Sequence, residues 1–142
     1  MEVRSVEAIV RALNDAHVQY LIVGGLAVNA HGYVRLTRAV DIVLALTPEN
    51  AALGLHTLLK IGYRLGIPAT PEELADSATR EDWRQSKKMI ALKLWSDEHR
   101  RTPVDIFVYE PFNFASEKAR APAREVCPGL SAPVVSLPTL RR

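Results

Sequence analysis

Two aspartates stand alone in apolar, strand-like runs: Asp41 within Ala39 to Leu46 and Asp105 within Val104 to Tyr109. Side chains alternate along a strand, so Ala39, Asp41 and Val43 share one face and Val40, Ile42 and Leu44 the other. In the later run Asp105, Phe107 and Tyr109 face away from Val104, Ile106 and Val108. An ionised carboxylate in such surroundings is costly unless a cation or hydrogen-bond donors meet it. Two readings follow. Each acid bonds locally, Asp41 to backbone or to Arg38, or both converge on one divalent ion if their strands are neighbours. The repetition of the pattern in two separate runs favours the shared ion. Oxygen donors without a His/Cys cluster select Mg²⁺ or Mn²⁺ over zinc.

Gly24 and Gly25 follow the apolar run Val18 to Val23 and precede a short helical stretch bearing Leu26, Ala27 and Ala30. Paired glycines at such a junction let backbone N–H groups approach an anion; an ordinary tight turn needs them equally. With carboxylates one strand away, the glycines would hold phosphates and the acids the ions that bridge them. Arg35 and Arg38 flank this region and could meet phosphate or pair with surface acids. Lys87 and Lys88 enter a later strand, facing triphosphate or RNA if not simply solvated.

The elements that must position these residues are legible from periodicity. Residues 5–16 form an amphipathic helix through Val6, Ile9, Val10 and Leu13. Thr47-Pro48-Glu49 starts a helix with a capping hydroxyl, a first-turn proline and an acid, running to about Lys60. Tyr63-Arg64-Leu65 reads as a short strand, and residues 68–87 as one or two surface helices beginning near Thr70-Pro71. Met89 to Trp95 and Val104 to Tyr109 read as paired strands around a polar turn, Ser96 to Arg101. Prolines 122, 128, 133 and 138 confine Glu125 to Cys127 and Val134 to Ser136 to short edge strands. The order predicts an α+β fold, a mixed twisted sheet of about five strands with helices mainly on one side. Without Gly-x-Gly-x-x-Gly or a repeating βαβ pattern, a dinucleotide fold is disfavoured.

Gly24-Gly25-Leu26-Ala27, His31-Gly32, Arg35-x-Thr37 and Asp41 together resemble the signature of nucleotidyltransferases of the DNA polymerase β-like superfamily, nearest its minimal, AbiEii-like group. The resemblance is close over residues 18–46 and extends to Val104-Asp105-Ile106-Phe107. It implies a nucleotidyltransferase-like sheet and in-line attack by an acceptor hydroxyl on the α-phosphate of an NTP, with Mg²⁺ or Mn²⁺ as cofactor. It implies that Asp41 and Asp105 are the catalytic and metal-binding acids, and that Gly24, Gly25, Arg35, Thr37 and Lys88 contact nucleotide. The acceptor stays open among tRNA, a protein and a small molecule. A toxin role with an antitoxin partner is a further implication. The family's Asp-x-Asp motif is here Ala39-x-Asp41, so a metal-binding carboxylate is replaced by a methyl group. An impaired transferase is expected, with a catalytically inactive nucleotide- or partner-binding protein as the alternative. Either an engineered knock-out or a degenerate member fits, and the intact surroundings favour the former.

Composition agrees with this and adds little. The chain of 142 residues is 48% hydrophobic and 24% charged, as expected of one globular domain. Residues 121–142 form a Pro-rich C-terminal segment that relatives would continue into further helices. No apolar run approaches the ~20 residues of a membrane span, and residues 1–20 lack a signal-peptide pattern. The single Cys127 reads as a packed thiol and fits a reducing cytoplasm. A net charge of +2 does not by itself argue for nucleic acid. His31 reads as a helix-end structural histidine, Trp83 and Trp95 as core or interface residues, and His99-Arg100-Arg101 as a solvated turn.

Overall fold

Val6, Ile9, Val10 and Leu13 lie along one face of helix α1 (Val3–Asp15) and are buried. In this computed structural model, which describes residues 1–32 and 38–140, they join a hydrophobic cluster built on a sheet. Burying each such side chain contributes about 1.5–3 kcal/mol. The chain then forms β1 (Tyr20–Val23), α2 (Gly24–Ala30), β2 (Val40–Leu44) and α3 (Pro48–Lys60). Thr47 caps α3 by accepting from the Asn50 N–H, as its sequence leads one to expect.

β3 (Arg64–Leu65) is followed by α4 (Pro71–Ala75) and α5 (Ser77–Lys87), then by β4 (Ala91–Trp95) and β5 (Val104–Phe107). The five strands form one mixed sheet in the order β1-β2-β5-β4-β3. β1 and β2 run antiparallel, β2 and β5 parallel, and β4 pairs antiparallel with both β5 and β3. The fold is therefore α+β with a five-stranded mixed sheet. Val40, Ile42, Leu44, Leu92, Leu94, Val104 and Ile106 are buried on one face. On the other, Asp41, Ala91, Asp105 and Phe107 are half-buried and Lys93 is exposed. That side is covered over β1 and Val43 but open around Asp41, Asp105 and Lys93, where a ligand can approach.

The C-terminal part departs from expectation. Helix α6 (Phe114–Arg120), absent from the elements expected of the sequence, is capped by Asn113 accepting from the Ser116 N–H at 2.9 Å. β6 (Ala123–Cys127) pairs with β7 (Leu130–Pro133), so the expected strand at Val134 to Ser136 is displaced toward the N-terminus. The cause is the Pro128-Gly129 turn. Gly129 takes φ +75°, the left-handed geometry a tight Pro-Gly turn needs. Beyond β7 the Val134 N–H donates to the Pro122 carbonyl at 3.1 Å, and a parallel bridge joins Val134 to Ile22 of β1 before α7 (Leu137–Leu140).

His99 also departs from expectation. It is buried, with Nδ1 2.7 Å from the Ser5 hydroxyl and its ring stacked on Tyr63 at 5.6 Å. Ser96 Oγ accepts from the His99 N–H at 3.2 Å and folds the turn under α1; Arg100 and Arg101 stay exposed. Trp83 is buried, whereas Trp95 is exposed beneath the Arg64 guanidinium, 5.4 Å from its ring centre. Cys127 is buried, which raises its thiol pKa. Among the described residues no helix is long and apolar enough to cross a membrane.

Candidate functional site

β2 and β5 are parallel neighbours in a register that sets Asp41 directly beside Asp105. Val40 and Ile42 pair with Val104 and Ile106 on the buried face. Because both strands obey the same alternation, anchoring those apolar pairs forces the two carboxylates onto the same open side. Burial raises the Asp41 pKa from 3.8 to about 6, with the adjacent Asp105 carboxylate adding to the rise. Lys93 acts in the opposite direction on Asp41. It stands across from Asp105 in the antiparallel β4–β5 pair, with Nζ 3.5 Å from Asp105 Oδ2.

Gly24 completes the arrangement from the β1 side. It has φ +68°, and a Cβ there would lie 2.0 Å from Asp41 Oδ2. Glycine is therefore required at position 24 both by backbone geometry and by the carboxylate packed against it. Gly25 follows as the second residue of α2, half-buried. Lys88 ends α5 in the left-handed conformation, φ 53°. A cleft of about 480 Å³ is lined by Asp41, Asp105, Lys88 and Lys93, with Met89 and Phe107 among its apolar walls.

Ala39 stands in the bend just before β2, which starts at Val40 and not at position 39 as the sequence suggests. Arg35 and Thr37 lie outside the described residues. His31 ends α2 with Nε2 2.9 Å from the Val135 carbonyl oxygen, a contact that ties the C-terminal segment to the helix. Lys93 is the site residue that sequence reasoning missed. Its signal was the strand alternation that puts it on the open face with Ala91 and Trp95.

Among the described residues no group of three or more His, Cys, Asp or Glu gathers as a metal cluster. The donor set present is two carboxylates side by side, one of them made costly to ionise by burial and by its neighbour. That suits Mg²⁺ or Mn²⁺, since Mg²⁺ commonly takes one or two protein carboxylates and fills its remaining positions with water and phosphate oxygens. The lysines in the same cleft suit the phosphates. No protein-family model matches the sequence, and a comparison with curated proteins finds no match.

Proposed function

We propose that this chain is a metal-dependent nucleotidyltransferase domain that moves a nucleoside monophosphate from an NTP to an acceptor hydroxyl, with turnover impaired by Ala39. The observation that carries this reading is the pairing of Asp41 with Asp105 on adjacent parallel strands, with Gly24 packed against Asp41. Asp41 and Asp105 would hold Mg²⁺ or Mn²⁺. When bound, such an ion lowers the pKa of an acceptor hydroxyl and offsets charge on departing pyrophosphate. Lys88 and Lys93 line the same cleft and would meet triphosphate oxygens. On the family resemblance, Asp105 would also take the acceptor's proton.

Loss of a residue that merely orients a metal ligand costs ~10–100-fold in affinity or activity. A methyl group at position 39, in place of a ligand itself, should cost more. The test is an Ala39→Asp variant incubated with labelled NTPs and Mg²⁺ or Mn²⁺, offered total tRNA, itself and co-purified proteins. Label transfer well above that of the unaltered chain is expected. Absence of transfer to every acceptor would overturn the proposal. A toxin role with an antitoxin partner in the cytoplasm rests on the same resemblance.

A second reading has its own support. The Lys93 ammonium beside Asp105 supplies a cation to a site short of one carboxylate, as suits an inactive protein that binds a nucleotide or a partner. On that reading Ala39→Asp stays inactive, while NTP with Mg²⁺ still raises the melting temperature of the unaltered chain.

A further inference from the structure

Phe107 lines two clefts at once. One is the carboxylate cleft with Lys88 and Lys93; the other, of about 370 Å³, is walled by Phe107, Phe112, Pro111, Val23 and Val135. Gly24 belongs to the second cleft and also abuts Asp41, so the two spaces meet at the carboxylates. The two differ sharply in chemistry. The first offers two ammonium groups and two carboxylates. The second offers two aromatic rings and aliphatic surface, and its polar side chain, Thr139, already donates to buried Glu117 at 2.6 Å.

Its walls are held in place from several directions. The Val135 N–H donates to the Ile22 carbonyl at 3.0 Å, and the Val135 carbonyl meets His31 Nε2 at 2.9 Å. Glu117 ties α6 to the C-terminal segment, accepting from Ser136 at 3.4 Å as well as from Thr139. Phe112 precedes α6, and Phe114 is buried at its start. The result is a preformed, mostly apolar cleft of the size that holds a small ring system.

A ligand that fills both spaces would carry an apolar group at one end and a polyanion at the other. A flat ring matches the two phenylalanines of the apolar cleft. We propose that the Phe107–Phe112 cleft receives the nucleobase of the NTP, with the polyphosphate passing Phe107 to the lysines and carboxylates. This rests on the nucleotidyl-transfer reading and adds a location for the base. The described lining residues carry no charged side chain, so the base is held by stacking, which every base supports. Discrimination between bases is accordingly weak, with purines favoured by their larger area.

The test is a chemical-shift titration of the full chain with adenosine, uridine, N-acetyltyrosinamide and, with Mg²⁺, tripolyphosphate. Both nucleosides should perturb the Phe107 and Phe112 ring signals, and tripolyphosphate those of Lys88 and Lys93. Phe112→Ala should weaken nucleoside binding about tenfold and leave tripolyphosphate unaffected. Phe112→Leu, which keeps apolar bulk without the ring, should fall between and serves if the alanine variant unfolds. Nucleosides binding away from the two rings, or only the tyrosinamide occupying them, overturns the base site; tripolyphosphate still bound at the lysines then leaves the transferase reading standing. Binding of neither nucleosides nor tripolyphosphate overturns both. Nucleosides at the rings without any transfer by Ala39→Asp supports the cleft and overturns the transferase.

Discussion

Gly24 and Asp41 are fitted to each other: a single methyl group on the glycine would sit 2.0 Å from the aspartate Oδ2. The turn between β1 and α2 thereby fixes where the carboxylate points. Asp41 is held against backbone on one side and against Asp105 on the other. The observed task of this glycine is making room for the acid.

Gly24→Ala should therefore be far more damaging than an exposed Gly→Ala exchange. The left-handed backbone costs about 1–2 kcal/mol for a residue with a side chain, and relief of the clash requires Asp41 or the turn to move. A loss of more than about 2 kcal/mol in urea unfolding is expected. Wild-type stability in this variant would show that the packing is wrong.

Asp41→Asn should stabilise the chain at neutral pH. The folded-state pKa, about 6, lies above the ordinary 3.8. The fold therefore disfavours the ionised form. Below pH ~4 the group is protonated both folded and unfolded and makes no difference. Between pH ~4 and ~6 its contribution becomes increasingly unfavourable, and above that the penalty is constant. The asparagine variant should melt higher at pH 7, by about 1 kcal/mol after allowance for solvent around a half-exposed group. The difference should vanish near pH 4; a gap independent of pH would contradict the assignment.

Lys93→Met removes the charge that holds the Asp41 pKa down. Carboxyl-carbon NMR should then show Asp41 titrating above its value in the unaltered chain. Overall stability should change by less than about 1 kcal/mol, because the ammonium is exposed. An Asp41 titration unmoved by the substitution would mean that Lys93 does not act on the carboxylate pair.

Ser5→Ala addresses the buried turn. The Ser5 hydroxyl is 2.7 Å from His99 Nδ1, and both residues are buried. Removing it leaves the imidazole nitrogen without that partner, at a cost of about 1–2 kcal/mol. Thermal unfolding reads the loss directly. Arg101→Ala, two residues from His99 but exposed, should stay within about 0.5 kcal/mol of the unaltered chain.

Several of these relationships are legible in the amino-acid sequence alone. The α3 start at Thr47-Pro48 and the helical face of Val6, Ile9, Val10 and Leu13 follow from local chemistry, and the folded chain keeps both. Asp41 and Asp105 stand out because each interrupts an apolar run. Lys93 does not, and the reason is register. A symmetric turn over Ser96 to Arg101 would pair Trp95 with Thr102 and place Lys93 opposite Val104. The observed pairing sets Lys93 opposite Asp105, one residue along. Buried His99 and Thr102 lengthen the turn by that residue, and a one-residue slip changes every cross-strand neighbour.

The sequence by itself determined which residues face together along each strand, where α3 and α4 begin, and that two acids sit in places where acids are expensive. Those properties depend on the backbone period and on neighbours a few residues away. Only the tertiary structure decided that β2 lies parallel and adjacent to β5, bringing Asp41 beside Asp105 across a long intervening stretch of chain. It likewise decided that His99 turns inward and that Phe107 divides a charged cleft from an aromatic one. Strand order and cleft shape arise from packing many distant apolar side chains into one core. No local pattern encodes that competition.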